Sequence, residues 1–447
     1  MTWTDQQGAP AVSRGSMAIA ALSTVVEWYD FTLYLYLATV LSRVFFGGGD
    51  SSLLATLGGF AVAYGMRPLG AMVFGHIGDR IGRRRTLLLS MMLMTLAMLA
   101  TALLPGYATL GPAAGGLLML LRCFMAFSVG GEYTGVVAYL LEGARRDRRG
   151  LVTSLAAASS EVGALLAVAL SALMVGTLSP AHLDAWGWRI PFFVGAVLAG
   201  GVWFARSTMD ESPDFLRQVA QRSVPDSPLG HTLAHYRPAL WRTFAVSALG
   251  SITYYVGITY VPAFLSSSGL AAEGRSLGLS TLAAVAVILV TPITGALADR
   301  VGRKPVLVGL ALAGTLLPLG MFGLMTGGAQ QQIVVGAVVL ACLAGGVSAV
   351  GAPATAEQFP GEGRLSGLAL GVTVSTVIFG GLTPFLAALL IRLTGWPLVP
   401  GAMIAVVALA VLPVFLTMPE TRPSRVSEAG RTAGVEVARS DSDTAGK

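Results

Sequence analysis

Six ionisable residues lie inside long apolar stretches of this chain: Glu27, Asp30, Arg67, Arg122, Glu132 and Glu161. An ionised group in hydrocarbon costs roughly 3 kcal/mol or more, so each is expected to face a partner or a water-filled cavity. Four carboxylates against two guanidiniums leave an excess of negative charge in low dielectric, and the cheapest remedy is to hold protons. Carboxylates so placed can load and release protons as water access changes. Asp30 is the first candidate for proton coupling and Glu132 the second, with Glu27 and Glu161 beside them. A guanidinium binds a carboxylate through two parallel hydrogen bonds. Arg122 and then Arg67 are therefore the candidates for holding an anionic substrate.

Spacing adds to this. Glu27, Asp30 and Tyr34 stand at i, i+3 and i+7 and share one helical face. Arg67 precedes Pro68, which frees the carbonyl of Tyr64 and bends its helix. At about 1.5 Å per residue, Glu27, Asp30, Arg67, Arg122 and Glu161 fall near the midplane, and Glu132 lies about 15 Å nearer the cytoplasm than Arg122. Tyr254, Tyr255 and Tyr260 repeat Trp28, Tyr29 and Tyr34 at an offset of 226 residues. Together with Tyr34 they are candidates for lining the site, and aromatic faces can cradle a quaternary ammonium. His76, His182, His231 and His235 lie in or beside loops. No catalytic or metal-ligating constellation is present, so the reading calls for no cofactor, no metal and no enzymatic activity.

The elements that must position these residues are membrane spans. The chain has 447 residues, 54% hydrophobic and only 12% charged, with mean hydropathy +0.72. A soluble domain carries about twice that charge fraction. Twelve apolar runs are long enough to cross a bilayer: 17–41, 53–75, 86–104, 113–141, 151–176, 189–206, 241–266, 277–298, 305–326, 332–354, 366–391 and 399–417. Residues 1–206 form an N-terminal six-helix half and 241–417 a C-terminal one. A Pro-rich linker, 207–240, joins them, and 418–447 reads as a disordered tail. No cleaved signal peptide is expected before the first span. With both termini in the cytoplasm, only Arg43, Arg189, Arg275 and Arg392 fall outside, and Arg67 and Arg122 lie in spans. That leaves 23 of the 29 Lys and Arg residues inside, which sets the topology. The sequence pI near 9.5 then reflects lipid headgroups and not nucleic acid. Cys123 and Cys342 lie in helices of different halves, so no disulfide is expected.

One charged turn occurs twice. Gly75, Asp79, Arg80, Gly82 and Arg83 align with Gly295, Asp299, Arg300, Gly302 and Arg303 at an offset of 220. Glycines let the backbone reverse between helices. A single carboxylate among cations can pair in one conformation and release in another, so both copies read as a gate, with Glu142 as a partner of the first.

This turn resembles the signature of the major facilitator superfamily, G-x-x-x-D-R-x-G-R-[RK], between its second and third helices. Four further stretches sharpen the resemblance: Glu27-Trp-Tyr-Asp-Phe31, Ser128-Val-Gly-Gly-Glu-Tyr-Thr-Gly135, Trp186-Gly-Trp-Arg-Ile-Pro-Phe-Phe193 and Gly380-Gly-Leu-Thr-Pro384. Together they resemble the metabolite:proton symporters, which include citrate, alpha-ketoglutarate, shikimate and proline/betaine permeases. The match runs from about Met17 to Glu420. In that family a basic residue often stands at the position of Arg122, within R-x-x-Q-G, where this chain has Met125 and Ala126. The resemblance implies an all-α, twelve-helix inner-membrane protein, functional as a monomer, that imports a small organic acid with protons by alternating access. A proline/betaine symporter is the alternative. A drug efflux antiporter ranks lower, because the fifth span lacks the Gly-Pro pair such families often carry.

Overall fold

A computed structural model describes residues 12–48, 50–221, 227–270 and 273–422. The expected disordered tail lies almost wholly outside them. Among the described residues the chain is helical and carries no strand. Nine helical segments there are long and apolar enough to cross a membrane, from Arg83–Leu103 to Val399–Thr417. Three interrupted helices complete the twelve. The first span is Arg14–Tyr36 continued by Ala38–Phe46, the second Asp50–Tyr64 continued by Met66–Ile81, and the seventh Arg237–Tyr254 continued through Val261–Ser267. The first and second reach well beyond the expected 17–41 and 53–75, because the more polar ends of these segments are helical as well.

The interruptions lie near the charged residues. The second span breaks at Gly65, three residues before Pro68. The fourth breaks at Gly130-Gly131, between Ala113–Val129 and Glu132–Gly143. A side chain on Gly130 would run into the backbone at Arg67 and Ala71, and one on Gly70 into the backbone of Phe127. The second and fourth spans thus touch backbone to backbone, as small residues permit in membranes. The seventh and eleventh spans carry single π-turns at Tyr255–Thr259 and Val377–Gly381, a feature often found at functional sites.

Each half has its own core. Tyr29, Leu33, Phe45, Met94, Trp188 and Phe192 pack in the first half, and Leu249, Leu307, Val347 and Phe415 in the second. The halves meet where the fifth span packs on the eighth and the second on the eleventh. Short helices Pro213–Ala220 and Pro228–His235 lie in the connection between them.

The two charged turns sit at one end of this bundle. Gly82 and Gly302 have φ of 110° and 123°, values that favour glycine, and helices restart at Arg83 and Arg303. The Asp79 carboxylate accepts hydrogen bonds from the backbone N–H of Leu365 (3.3 Å) and Ser366 (2.8 Å) in the opposite half. Asp299 accepts from the N–H groups of Gly150 and Leu151, each at 2.8 Å. Each acid therefore caps the N-terminus of a helix across the seam, where unpaired N–H groups and the helix dipole favour an anion.

Candidate functional site

A cavity of about 180 Å³ lies between the halves. Its first-half wall carries Glu27, Trp28, Tyr64, Arg67, Tyr133 and Glu161. Its second-half wall carries Tyr254 and Tyr255 with Ser247, Ser251, Ser348, Thr373 and Thr376. Of the candidates drawn from sequence, Glu27, Arg67, Glu161, Tyr254 and Tyr255 line this space. Asp30, Arg122, Glu132, Tyr34 and Tyr260 do not.

The division begins in the first span. Residues i and i+3 are about 60° apart around a helix, so Glu27 and Asp30 take different neighbours. Glu27 meets Arg67 at 3.7 Å. Asp30 turns into the first-half bundle, where Arg122 Nη1 donates to both its oxygens at 2.8 and 3.0 Å. Glu27 and Asp30, expected on one helical face, thus each have a guanidinium of their own.

The two arginines are also unlike. Arg122 donates through Nη2 to the Thr101 hydroxyl at 3.0 Å, and its guanidinium lies 5.5 Å from the ring centroids of Tyr34 and Phe192. Both its Nη groups are thus engaged and the residue is buried off the cavity, while its Nε has no hydrogen-bond partner among the described residues. Tyr34 beneath it donates to the carbonyl of Thr56. Arg67 stands at the cavity between Phe31 and Tyr64, 4.9 and 4.8 Å from their centroids, and makes no hydrogen bond to any described residue. Its partner Glu27 is 2% exposed, and its Oε2 likewise has no hydrogen-bond partner among the described residues.

Glu132, the second proton-coupling candidate, lies off the cavity. It is fully buried and clamped by Arg206, whose Nη2 donates to Glu132 Oε1 and to Ser23 Oγ. Arg206 Nη1 reaches Glu132 Oε2 at 3.0 Å and the Leu87 carbonyl at 2.6 Å, while Ser90 donates to Oε2 at 2.6 Å. This network ties the first, third, fourth and sixth spans together. Arg206 ends an apolar run, and nothing in the sequence marks its inward turn. Four intramembrane carboxylates therefore face three guanidiniums, not two.

Glu161 is the carboxylate without an ion-pair partner among the described residues. It accepts a hydrogen bond from the Tyr254 hydroxyl at 2.6 Å across the seam. The Tyr254 ring lies edge-on to Trp28, centroids 5.3 Å apart, and the Tyr64 and Tyr255 hydroxyls bond to each other across the halves. Tyr260 instead packs with Phe264 in the second-half core.

At the turns, Arg83 pairs with Asp79 (3.1 Å) and Glu142 (3.2 Å), and Arg303 with Asp299 (2.9 Å) and Glu357 (3.2 Å). Glu211 caps the N–H groups of Arg83 and Arg84, and Glu420 those of Arg303 and Lys304. Arg364 bonds Glu142 at 2.6 Å and Asp214 at 2.8 Å. Arg80 and Arg300 do not join these networks among the described residues. The sequence reading missed Glu211, Glu357, Arg364 and Asp214, although the repeat itself pointed to a matched partner for each turn.

The family model described as Sugar (and other) transporter matches residues 16–229, and that of the Major Facilitator Superfamily matches residues 274–442. The chain is 31% identical over 421 residues to the proline/betaine transporter of Salmonella typhimurium, covering 91% of this chain and 84% of that protein. It is 32% identical over 372 residues to the alpha-ketoglutarate permease of Escherichia coli, covering 82% and 85%. It is 31% identical over 425 residues to the citrate-proton symporter of Salmonella typhi, covering 92% and 97%. The chain belongs to the major facilitator superfamily, within its metabolite:proton symporters. The solved proton:xylose symporter XylE, bound to 6-bromo-6-deoxy-D-glucose, has the same fold, with a TM-score of 0.74 at 18% identity over 91% of this chain and 96% of that one. As a member of this superfamily the chain is a multi-pass membrane transporter, and its cavity lies at the seam between halves, where transporters of this build place their substrates.

Proposed function

We propose that this symporter imports a small zwitterion together with a proton. Arg67 would hold the substrate carboxylate, and Glu161, Trp28 and Tyr254 its cationic end. The observation that carries this reading is the contrast at the cavity wall. Arg67 offers five N–H donors and uses none on a described residue, while Glu161 has no cationic partner among the described residues. One guanidinium against two carboxylates suits a zwitterion better than a di- or tricarboxylate. A cavity of about 180 Å³ is below the roughly 300–1,000 Å³ of sites for drug-sized ligands, which disfavours the efflux reading.

Coupling follows from competition for one cation. A substrate carboxylate arriving at Arg67 draws the guanidinium from Glu27. The abandoned Glu27 carboxylate lies in low dielectric with an unpartnered oxygen, so it takes up one proton. Substrate and proton then load together, which is the reciprocity that symport requires. Asp30 with Arg122 is the second proton-bearing pair in this scheme. Glu132, held by Arg206, is assigned to the scaffold. The reading keeps both termini in the cytoplasm, and a monomer suffices because one chain supplies the whole cavity.

A second reading, uptake of a small organic acid, rests on Arg67 alone. Uptake of labelled glycine betaine, proline, alpha-ketoglutarate and citrate separates the two. Glu161→Gln is expected to depress zwitterion uptake and spare uptake of an acid. Saturable transport of citrate but of neither zwitterion sinks the first reading.

A further inference from the structure

Beside the first charged turn a groove of about 690 Å³ opens, away from the central cavity. Three of its walls are cationic: Arg80, Arg84 and Arg85. Glu211, the acid among its described lining residues, is engaged through Oε1, which accepts from the N–H groups of Arg83 (2.9 Å), Arg84 (3.2 Å) and Ser212 (2.8 Å). Arg84 donates to the Ser207 carbonyl. The guanidiniums of Arg80 and Arg85 are exposed and make no hydrogen bond or ion pair with any described residue.

The rest of the groove is apolar. Ile81, Leu216 and Val219 are 42%, 44% and 52% exposed, and Leu88 lies behind them. Leu216 and Val219 stand at i and i+3 on the short helix Pro213–Ala220 and share its outer face. Leu88 is five residues into the third span, about 7.5 Å along its axis. Guanidiniums therefore stand at the end of the groove beside the start of the third span, and apolar side chains line the rest of it. We propose that this groove binds an anionic phospholipid, its phosphate among Arg80, Arg84 and Arg85 and an acyl chain along Leu88, Leu216 and Val219.

Charge complementarity selects the occupant. Cations beside a membrane surface attract anionic lipids, and an interfacial helix buries its apolar face at the headgroup boundary. A free phosphate would use the guanidiniums and leave the apolar wall wet. The second turn has Lys304 and Pro305 where the first has Arg84 and Arg85, so the inference concerns one site. It is independent of the transported substrate.

The test is native mass spectrometry of the delipidated full-length protein, titrated with dioleoyl phosphatidylglycerol or dioleoyl phosphatidylcholine. Phosphatidylglycerol should bind more tightly. Each charge removed is worth roughly fivefold, so Arg80→Gln with Arg85→Gln should weaken phosphatidylglycerol roughly twenty-fivefold and leave phosphatidylcholine unchanged. Lysine at both positions should retain binding. Val219→Glu, which keeps all three arginines, should also weaken it. Equal binding of the two lipids by the parent protein, or no loss in either variant, overturns the proposal. So does displacement of the lipid by millimolar inorganic phosphate, which marks a free-anion site.

Discussion

The two halves are alike at their charged turns and unlike at the midplane. At the turns the same glycine, carboxylate and arginine recur, and each acid caps a helix of the other half. At the midplane the described ionisable groups belong to the first half, and the second supplies tyrosines and hydroxyls. The difference separates two kinds of constraint. The turn is a backbone device, fixed by a positive φ and by N–H groups that need an acceptor, so it can be duplicated intact. The midplane is a side-chain device whose meaning depends on which groups pair, and there the halves can diverge.

Within the likeness there is one asymmetry. The first turn reaches across the seam three ways: Asp79 to the Leu365 and Ser366 N–H groups, Arg83 to the Gly361 carbonyl at 2.7 Å, and Glu142 to Arg364. The second crosses through Asp299, and its Arg303 stays with Glu357 in its own half.

The largest effect is expected at the buried scaffold of the first half. Glu132→Gln leaves Arg206 as an uncompensated buried charge, which costs about 3–5 kcal/mol. Thermal unfolding in detergent and membrane abundance should both fall sharply. A Glu132→Gln protein with parental stability that has lost only proton movement would return Glu132 to the coupling path.

Next comes the comparison of the turns themselves. Asp79→Asn weakens two charge-assisted bonds across the seam, worth about 1.5–3 kcal/mol each, and should slow transport about tenfold or more at near-normal abundance. Asp299→Asn should act in the same direction. Its effect should be smaller if the extra crossings of the first turn share the load, and equal effects would show that the acid caps alone matter.

The smallest effect concerns Asp214 in the linker. Burial alone would raise this carboxyl, but Arg364, with Arg217, holds it below the ordinary carboxylate range. A depressed acid contributes its stabilisation above its ordinary value near 4 and loses it as pH falls through the lower, folded value. The Asp214–Arg364 link should therefore be complete at neutral pH and fail only in strong acid. Asp214→Asn should give a modest gain in cysteine accessibility at Gly361 at pH 7, and parent and variant should converge at low pH. A pH-independent difference would exclude the ion pair as its cause.

Much of this was legible in the sequence. Twelve spans follow from hydropathy, the doubled turn from spacing, and the break near Pro68 from its missing N–H. Glu142 was reachable because it ends the fourth span beside the first turn. The pairing of the midplane was not legible. A 60° difference between Glu27 and Asp30 sends them to different arginines, and no periodicity says which arginine faces the cavity. Arg206 escaped notice because a cation ending an apolar run has the same local sequence whether it turns toward headgroups or into the bundle.

The central claim is that Arg67, and not Arg122, receives the substrate. The direct measurement is equilibrium binding of labelled glycine betaine or proline to purified parent, Arg67→Gln and Arg122→Gln proteins. The expected result is loss of saturable binding in Arg67→Gln, with binding retained in an Arg122→Gln protein that no longer responds to a pH gradient. Retained binding without Arg67, together with lost binding in a folded Arg122→Gln protein, would contradict the account.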